Sequence, residues 1–458
     1  MIRRDIEIFD VELNKNFDSV YLDNLTKKIK QEIVNRFNGN TQNKIIYIGV
    51  NDFQFVVPAL IAVWELGAAV FCNDSAPEIQ KLSYFQKFFD KVDLALIPTG
   101  PHAPWGDKSK ILAVNPNDFS DLSTTLESNS SVNEQTVAYY TTSSGTTSDP
   151  KLLSFTHRQT VMMAKHIKDI IVDDDDKNIR PFHFKTLHHG SLFNSFALPM
   201  LSSAKIHYTG QYKYLNDKFI NKISQDFTKY NISHFLCPYA WIRDFTKVPS
   251  CNLENLTLST IQGNTDKEMI DLFERFNVKK VVNYFGCSEV GTVFTSVTTK
   301  DNLTSYNPNR FTDLLPYLDL EIDHSLISIR WKNENEWFKT ADKIEFVDGA
   351  YWFRGRDLWF EIGDKKVELT PFFEYIQRNL MSDQLTLVPD YSKNLLYLAS
   401  YTFDISEERL SDLNANLLIE FGKEFTIAKC HRFDTKDLLF GMKISGPLLL
   451  FLFRNLEK

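Results

Sequence analysis

The chain has 458 residues, 43% hydrophobic and 24% charged, which is ordinary globular composition and long enough for more than one domain. A net charge of −8 and no basic block beyond isolated pairs argue against nucleic acid as a partner, since phosphate neutralisation needs clustered Lys and Arg. The five cysteines (Cys72, Cys237, Cys251, Cys287, Cys430) are odd in number and scattered without ligand-like spacing, so reduced thiols in a cytoplasmic protein are expected and structural zinc is not. The N-terminus lacks an apolar signal core, and the run "GPLLLFLF" is too short to span a bilayer.

From Lys44 the pattern alternates in type. "KIIYIGV" reads as a buried strand, "FQFVVPALIAVWELG" as an apolar helix ending at Gly67, and "AAVFC", "LALIP", "ILAV" and "TVAYYTT" as further strands. "RQTVMMAKHIKDIIV" reads as a helix, and the four aspartates 173–176 as a solvated turn. A second unit spans 257–286. It has a strand and turn in "LTLSTIQGN", a helix in "DKEMIDLFERF" with Asp266 as N-cap, and a strand in "KKVVNYFG".

After about Asp301 short antiparallel strands follow ("LISIRW", "KIEFV", "AYWFRG"), with a "DG" turn between the last two. "KKVELTPFFEYIQRNL" is a strand and a helix, with Thr370 as N-cap and Pro371 at the first helical position. "LLYLASYTF", the helix "SEERLSDLNANLLIEFG" and "FTIAKC" complete an α+β segment. The expected fold is α/β: a large N-terminal domain of layered α/β sheets over residues 1–355, and a small α+β domain over 356–458.

Three segments carry chemistry. "YYTTSSGTTSDPK" gathers hydroxyls, Gly145 and Lys151 where "TVAYYTT" hands over, after "SFTH", to a helix. It suits either a polar linker or a cradle for phosphate oxygens. It lacks the G-x-x-x-x-G-K-[ST] spacing of a Walker loop and the G-x-S-x-G of a hydrolase elbow. "NYFGCSEVGT" presents Ser288 and Glu289 at a strand end, which reads as an exposed turn or as a ligand for a hard cation such as Mg²⁺. "EWFKTADKIEFVDGAYWFRGRD" offers Asp342 and Arg356, a charged hairpin pair or holders of a ribose diol and a phosphate.

In this order the three segments resemble the signature motifs of the adenylate-forming superfamily, which includes acyl- and aryl-CoA synthetases, peptide-synthetase adenylation domains and luciferases. "YTTSSGTTSDPK" is similar to its phosphate loop, "FGCSE" to its aromatic-glycine-acid motif, and "WFKTAD" with "FRGR" to its W-F-x-T-G-D and following G-R. The likeness extends from about residue 44 to the end. It implies an enzyme that joins ATP and a small carboxylic acid into an acyl-adenylate and pyrophosphate, across a crevice between a large domain and a small mobile one.

Carried over, the resemblance gives Ser143, Ser144, Gly145, Thr146, Thr147 and Lys151 to the phosphates, and Glu289 with Thr146 to Mg²⁺. Phe285 replaces the tyrosine that stacks on adenine, with Gly263, Asn264, Asn283 and Ser288 nearby. Asp342 would take the ribose hydroxyls, Arg356 would stand by the nucleotide, and Asp357 would be the hinge. Lys443 in "GMKI" is expected as the adenylation lysine, with Lys436 as its competitor. His188, His189, Tyr239 and Trp241 would line an acid pocket that lacks the aspartate of amino-acid-activating members, so an aromatic or short acyl acid is favoured.

Ser148 replaces a loop glycine, and the stretch after Arg356 is about a residue short, with its glycine loop reduced to Gly363. The resemblance implies a thiol as acyl acceptor, on coenzyme A or the phosphopantetheine of an acyl carrier protein, although the reduced loop speaks against the thioester step. An amine acceptor and a degenerate nucleotide-binding relative are the alternatives.

Overall fold

The computed structural model describes residues 2–50, 52–71, 88–99, 108–120, 133–142, 151–174, 176, 178–183, 193–210, 217–238, 242, 249–261, 266–362, 364–382, 385–401, 403–433, 439–440, 443–444 and 446–456. Within these, two large sheets set the frame. One has six strands in the order Ile111–Val114, Leu94–Pro98, Ile45–Ile48, Ala69–Phe71, Val137–Thr142 and Leu152–Thr156, all parallel except the last. The other has nine, with a parallel centre formed by Ile206–Thr209, Pro181–His183, His234–Pro238, Thr257–Ile261 and Lys280–Cys287. Layered α/β architecture follows, as the alternating strand–helix pattern implies.

The main core lies between these sheets. Strand residues Ile46, Ile48, Val70, Leu94 and Leu96 of one sheet and Leu236, Val282 and Tyr284 of the other share it with helices Phe53–Glu65 and His157–Ile171. The opposite face of the nine-stranded sheet (Phe182, Phe235, Leu258, Val281) is covered by Phe227 and by Met269, Leu272, Phe273 and Phe276. Each strand alternates its side chains between two apolar layers, which is why the runs read as continuously hydrophobic. The N-terminal helix Ser19–Arg36, capped by Asp18 accepting from the Tyr21 N–H, buries Leu22, Leu25, Ile29 and Ile33 along one stripe.

A five-stranded sheet follows, in the order Arg310–Phe311, Ala350–Arg356, Phe338–Val347, Leu326–Trp331 and Leu318–Asp323. Its last hairpin turns at Asp348–Gly349, both at positive φ (50° and 73°), the geometry for which an Asp-Gly pair is suited. Beyond it, the strands Leu385–Asp390, Leu395–Ser400 and Ile427–Arg432 pack against helices Leu369–Leu380 and Glu407–Phe421 around Phe372, Ile376, Leu398, Leu413 and Leu417. The other side of this small sheet is not bare. Val388, Tyr397, Phe433, Leu449 and Phe453 share one apolar cluster with Tyr47, Phe71, Phe89 and Ala95 of the six-stranded sheet's region.

Four local expectations need correction. The helix after Glu368 starts at Leu369 with Glu368 at the N-cap, so Pro371 is its third residue, and Thr370 donates its hydroxyl to Arg356 O (3.0 Å) instead of capping. The helix Asp266–Glu274 already includes Asp266 as its first residue. The aspartates after Ile171 are not simply solvated: Asp173 and Asp176 accept from Lys279 (2.7 and 2.8 Å), and Asp173 also pairs with Lys280 (2.5 Å). Finally, the helix begins at His157 as expected after "SFTH", but Leu152–Thr156, not read as a strand, pairs antiparallel with Val137–Thr142 ahead of it.

The final helix, Gly446–Asn455, is held by one buried acid. Asp390 accepts from Arg454 at 2.8 and 2.6 Å and from Ser392 at 2.7 Å. Burial alone would raise its pKa, but the Arg454 and Ser392 hydrogen bonds outweigh that and hold it at about 2 against an ordinary 3.8. A depressed carboxylate pKa stabilises the fold above the unfolded value and stops doing so as pH falls through the folded one. Asp390→Asn is thus expected to lose about 2 kcal/mol of stability at neutral pH and little near pH 2. Urea midpoints for both chains across that range test it; a loss independent of pH contradicts it.

Candidate active site

Four parallel strands end side by side at one edge of the nine-stranded sheet: Pro181–His183, His234–Pro238, Thr257–Ile261 and Lys280–Cys287. They lead into 184–190, 239–241, 262–264 and the 286–291 turn. The carboxyl edge of a parallel sheet is where α/β folds place ligands. His188, His189, Tyr239, Trp241, Gly263 and Asn264 themselves lie outside the described residues, as do Ser143, Ser144, Gly145, Thr146 and Thr147.

The "FGCSEVG" stretch is a tight hairpin between Lys280–Cys287 and Gly291–Thr298, with a register shift at Phe285/Gly286. Gly286 sits so close to the opposing strand that a Cβ there would come within 2.2 Å of Gly291 O. Gly291 takes φ +77°, which glycine adopts without penalty. Two glycines therefore close the loop and set out Ser288 and Glu289, both half-buried, in the turn. The Cys287 thiol is pushed up by burial first, and further by the carboxylates of Glu289 and Asp342. A carboxylate placed singly in such a turn suits a hard cation that completes its shell with phosphate oxygens and waters.

Phe285 lies almost wholly inside, its ring packed with Phe294, Phe311 and Phe353 at centroid distances of 5.9, 5.6 and 5.1 Å. Asn283 is also buried. Its amide donates to Pro308 O at 3.4 Å, while its Oδ1 has no partner, so it holds an unused acceptor two residues before Phe285.

Asp342 is 2% exposed and accepts from Arg356 Nε at 2.7 Å. The hairpin count from the Asp-Gly turn would set Asp342 opposite Gly355, but a bulge between Asp342 and Ile344 shifts the register by one and brings it to Arg356. Removing Arg356 would leave this buried carboxylate without its hydrogen-bond partner, a costly loss. Asp357, next in the chain, donates its N–H to Ala341 O (2.7 Å) and pairs with Lys343 (3.1 Å), a partner the sequence reading missed. The available signal was the charge order, Asp-Lys on one strand and Arg-Asp on the other.

Lys151 is exposed at the entry to Leu152–Thr156. Lys443 opens a two-residue strand paired with Leu439–Phe440, directly before the final helix. That helix contributes Leu449 and Phe453 to the cluster that also takes in Tyr140 and Leu152, which flank the hydroxyl loop. The helix that follows Lys443 and the two strands that flank the hydroxyl loop thus share one apolar cluster.

The profile of the AMP-binding enzyme family matches residues 56–316, more than half of the chain. The chain belongs to the AMP-binding enzyme family. Among solved structures, the adenylation and carrier-protein portion of McyG complexed with phenylalanyl-adenylate is similar at TM-score 0.69 and 14% identity, covering 98% of this chain and 92% of that one. The Bacillus subtilis O-succinylbenzoate coenzyme A synthetase MenE, in complex with ATP and magnesium ion, is similar at 0.67 and 13%, covering 94% and 93%. The amide bond synthetase McbA from Marinactinospora thermotolerans is similar at 0.64 and 12%, covering 98% and 96%. No curated protein sequence matches the chain significantly. At these identities the structures speak for the fold, and the family match identifies an adenylate-forming enzyme. No helix among the described residues is long and apolar enough to cross a membrane.

Proposed function

We propose that the chain is an ATP-dependent carboxylate ligase of two steps. A small carboxylic acid attacks the α-phosphate of ATP to give an acyl-adenylate and pyrophosphate, and the acyl group then passes to a thiol. The observation that carries this reading is Asp342, buried and bonded to Arg356 at 2.7 Å, together with Glu289 set in the turn that Gly286 and Gly291 close. The first carboxylate suits a ribose diol, the guanidinium a phosphate, and the second carboxylate a cation.

Binding begins with the base beside Phe285, where Asn283 Oδ1 is an acceptor that the exocyclic amine of adenine would satisfy. Asp342 accepts the ribose hydroxyls. Ser143–Thr147 and Lys151 hold the β- and γ-phosphates, and Glu289 with Thr146 would hold Mg²⁺, which supplies positive charge where the leaving pyrophosphate builds negative charge. Lys443 sits at the attacked α-phosphate, because carboxylate and phosphate are both anions and their approach needs a cation between them. We place the domain boundary at 355/356, with Asp357 as hinge.

Coenzyme A or a carrier protein's phosphopantetheine is the acceptor we favour. An amine stays in play because the stretch around Gly363 is short and the fold extends over 98% of this chain in the McbA comparison. Incubating the enzyme with ATP, Mg²⁺, a panel of aryl and short acyl acids, and either coenzyme A, a phosphopantetheinylated carrier or amines tests this by mass spectrometry. A thioester product is expected; an amide with no thioester would transfer the assignment to the amine reading.

A further inference from the structure

Beside the Asp342–Arg356 pair lies a second pair with the charges reversed. Lys343 Nζ lies 3.1 Å from Asp357 Oδ1 and donates to Glu368 Oε1 at 2.6 Å. Asp342 and Lys343 are neighbours on one strand, Arg356 and Asp357 neighbours on the other side, and Glu368 stands at the N-cap position of the following helix with no side-chain capping bond. The strap between them is also tied by backbone bonds, Asp357 N–H to Ala341 O (2.7 Å) and Leu369 N–H to Leu358 O (2.6 Å). Lys343, Asp357 and Glu368 are each about a quarter to a third exposed (26%, 31% and 25%), so the ion pairs are neither fully screened nor fully desolvated.

One ammonium thus serves two carboxylates. Without it, Asp357 and Glu368 would repel each other, and the guanidinium of Arg356, adjacent to Asp357 in the chain, is a cation that could turn to compensate them. That guanidinium would be drawn away from Asp342. We propose that Lys343 is a positioning residue for nucleotide binding: by neutralising Asp357 and Glu368 it leaves Arg356 on Asp342, the carboxylate assigned to the ribose. The same contacts raise the Lys343 pKa, the Glu368 hydrogen bond most, so it stays charged throughout the physiological range. This inference rests on the reading of Asp342 as the ribose acceptor.

Calorimetric titration of the full chain with ATP and Mg²⁺, at low and high salt, tests both. Lys343→Gln is expected to weaken ATP binding about tenfold and to flatten its salt dependence, with Lys343→Arg close to wild type. Adding Asp357→Asn and Glu368→Gln to Lys343→Gln should restore most of the affinity, because the competing carboxylates are gone. A merely structural lysine would show no such rescue. If Lys343→Gln binds ATP like wild type while Asp342→Asn is weakened, the positioning role is overturned and the nucleotide reading stands. If Asp342→Asn also binds like wild type, the nucleotide reading itself fails. Should Lys343→Gln not fold, the neutral triple variant carries the test: folded but binding ATP no better than Asp342→Asn, it overturns the proposal.

Discussion

Replacing Lys443 with alanine should lower ATP–pyrophosphate exchange by about 10²- to 10³-fold, with ATP affinity changed far less. The reason lies in where charge develops. Binding ATP alone places its phosphates among the hydroxyl loop, Lys151 and the cation near Glu289, whereas the attack adds a second anion at the α-phosphate. A lysine needed at that moment acts on the chemical step and little on the ground state. Its strand, Lys443–Ile444, is followed by a helix anchored through Asp390–Arg454 and packed through Leu449 and Phe453. Exchange undiminished in Lys443→Ala would pass the role to Lys436, the competing candidate.

Gly286→Ala is expected to destabilise the protein by about 3 kcal/mol or more and to abolish exchange. The added Cβ would meet Gly291 O at 2.2 Å and Gly291 C at 2.9 Å, which are backbone atoms with no rotamer to yield. The hairpin must open, and Glu289 leaves its place with it. Gly291→Ala is the informative contrast. Its Cβ meets the Met163 Sδ at 2.7 Å, an atom of a flexible side chain and not of the backbone, and pays mainly for φ +77°. A cost of about 1–2 kcal/mol is expected there. Urea denaturation of the two variants measures the difference, and a Gly286→Ala protein as stable as wild type would contradict the hairpin geometry.

Much of this frame was legible before any coordinates. The runs around Ile45–Ile48, Phe53–Glu65 and His157–Ile171 show their period directly, because burial on one face or on both leaves an apolar signature in the chain. Helix starts were less legible. Thr370 looks like a cap, yet Glu368 takes the position and the threonine hydroxyl goes to Arg356 O, a tertiary contact with no local trace. The Asp342–Arg356 pairing was half legible. Both residues were singled out by motif order, but the bulge that aligns them is a backbone event that side-chain spacing does not encode. Lys343 was passed over for the same reason: its two acids, Asp357 and Glu368, are 14 and 25 residues away. The role of Asp173 and Asp176 was hidden likewise, since Lys279 and Lys280 reach them from another strand.

The central claim is that this chain makes acyl-adenylates. ATP–pyrophosphate exchange by the wild-type protein, across a panel of aryl and short acyl acids with Mg²⁺ present, tests it most directly. The expected result is label entering ATP only when an accepted acid is added, strongest for one narrow group of acids. Tight ATP binding with no acid-dependent exchange, from any member of the panel, would contradict it.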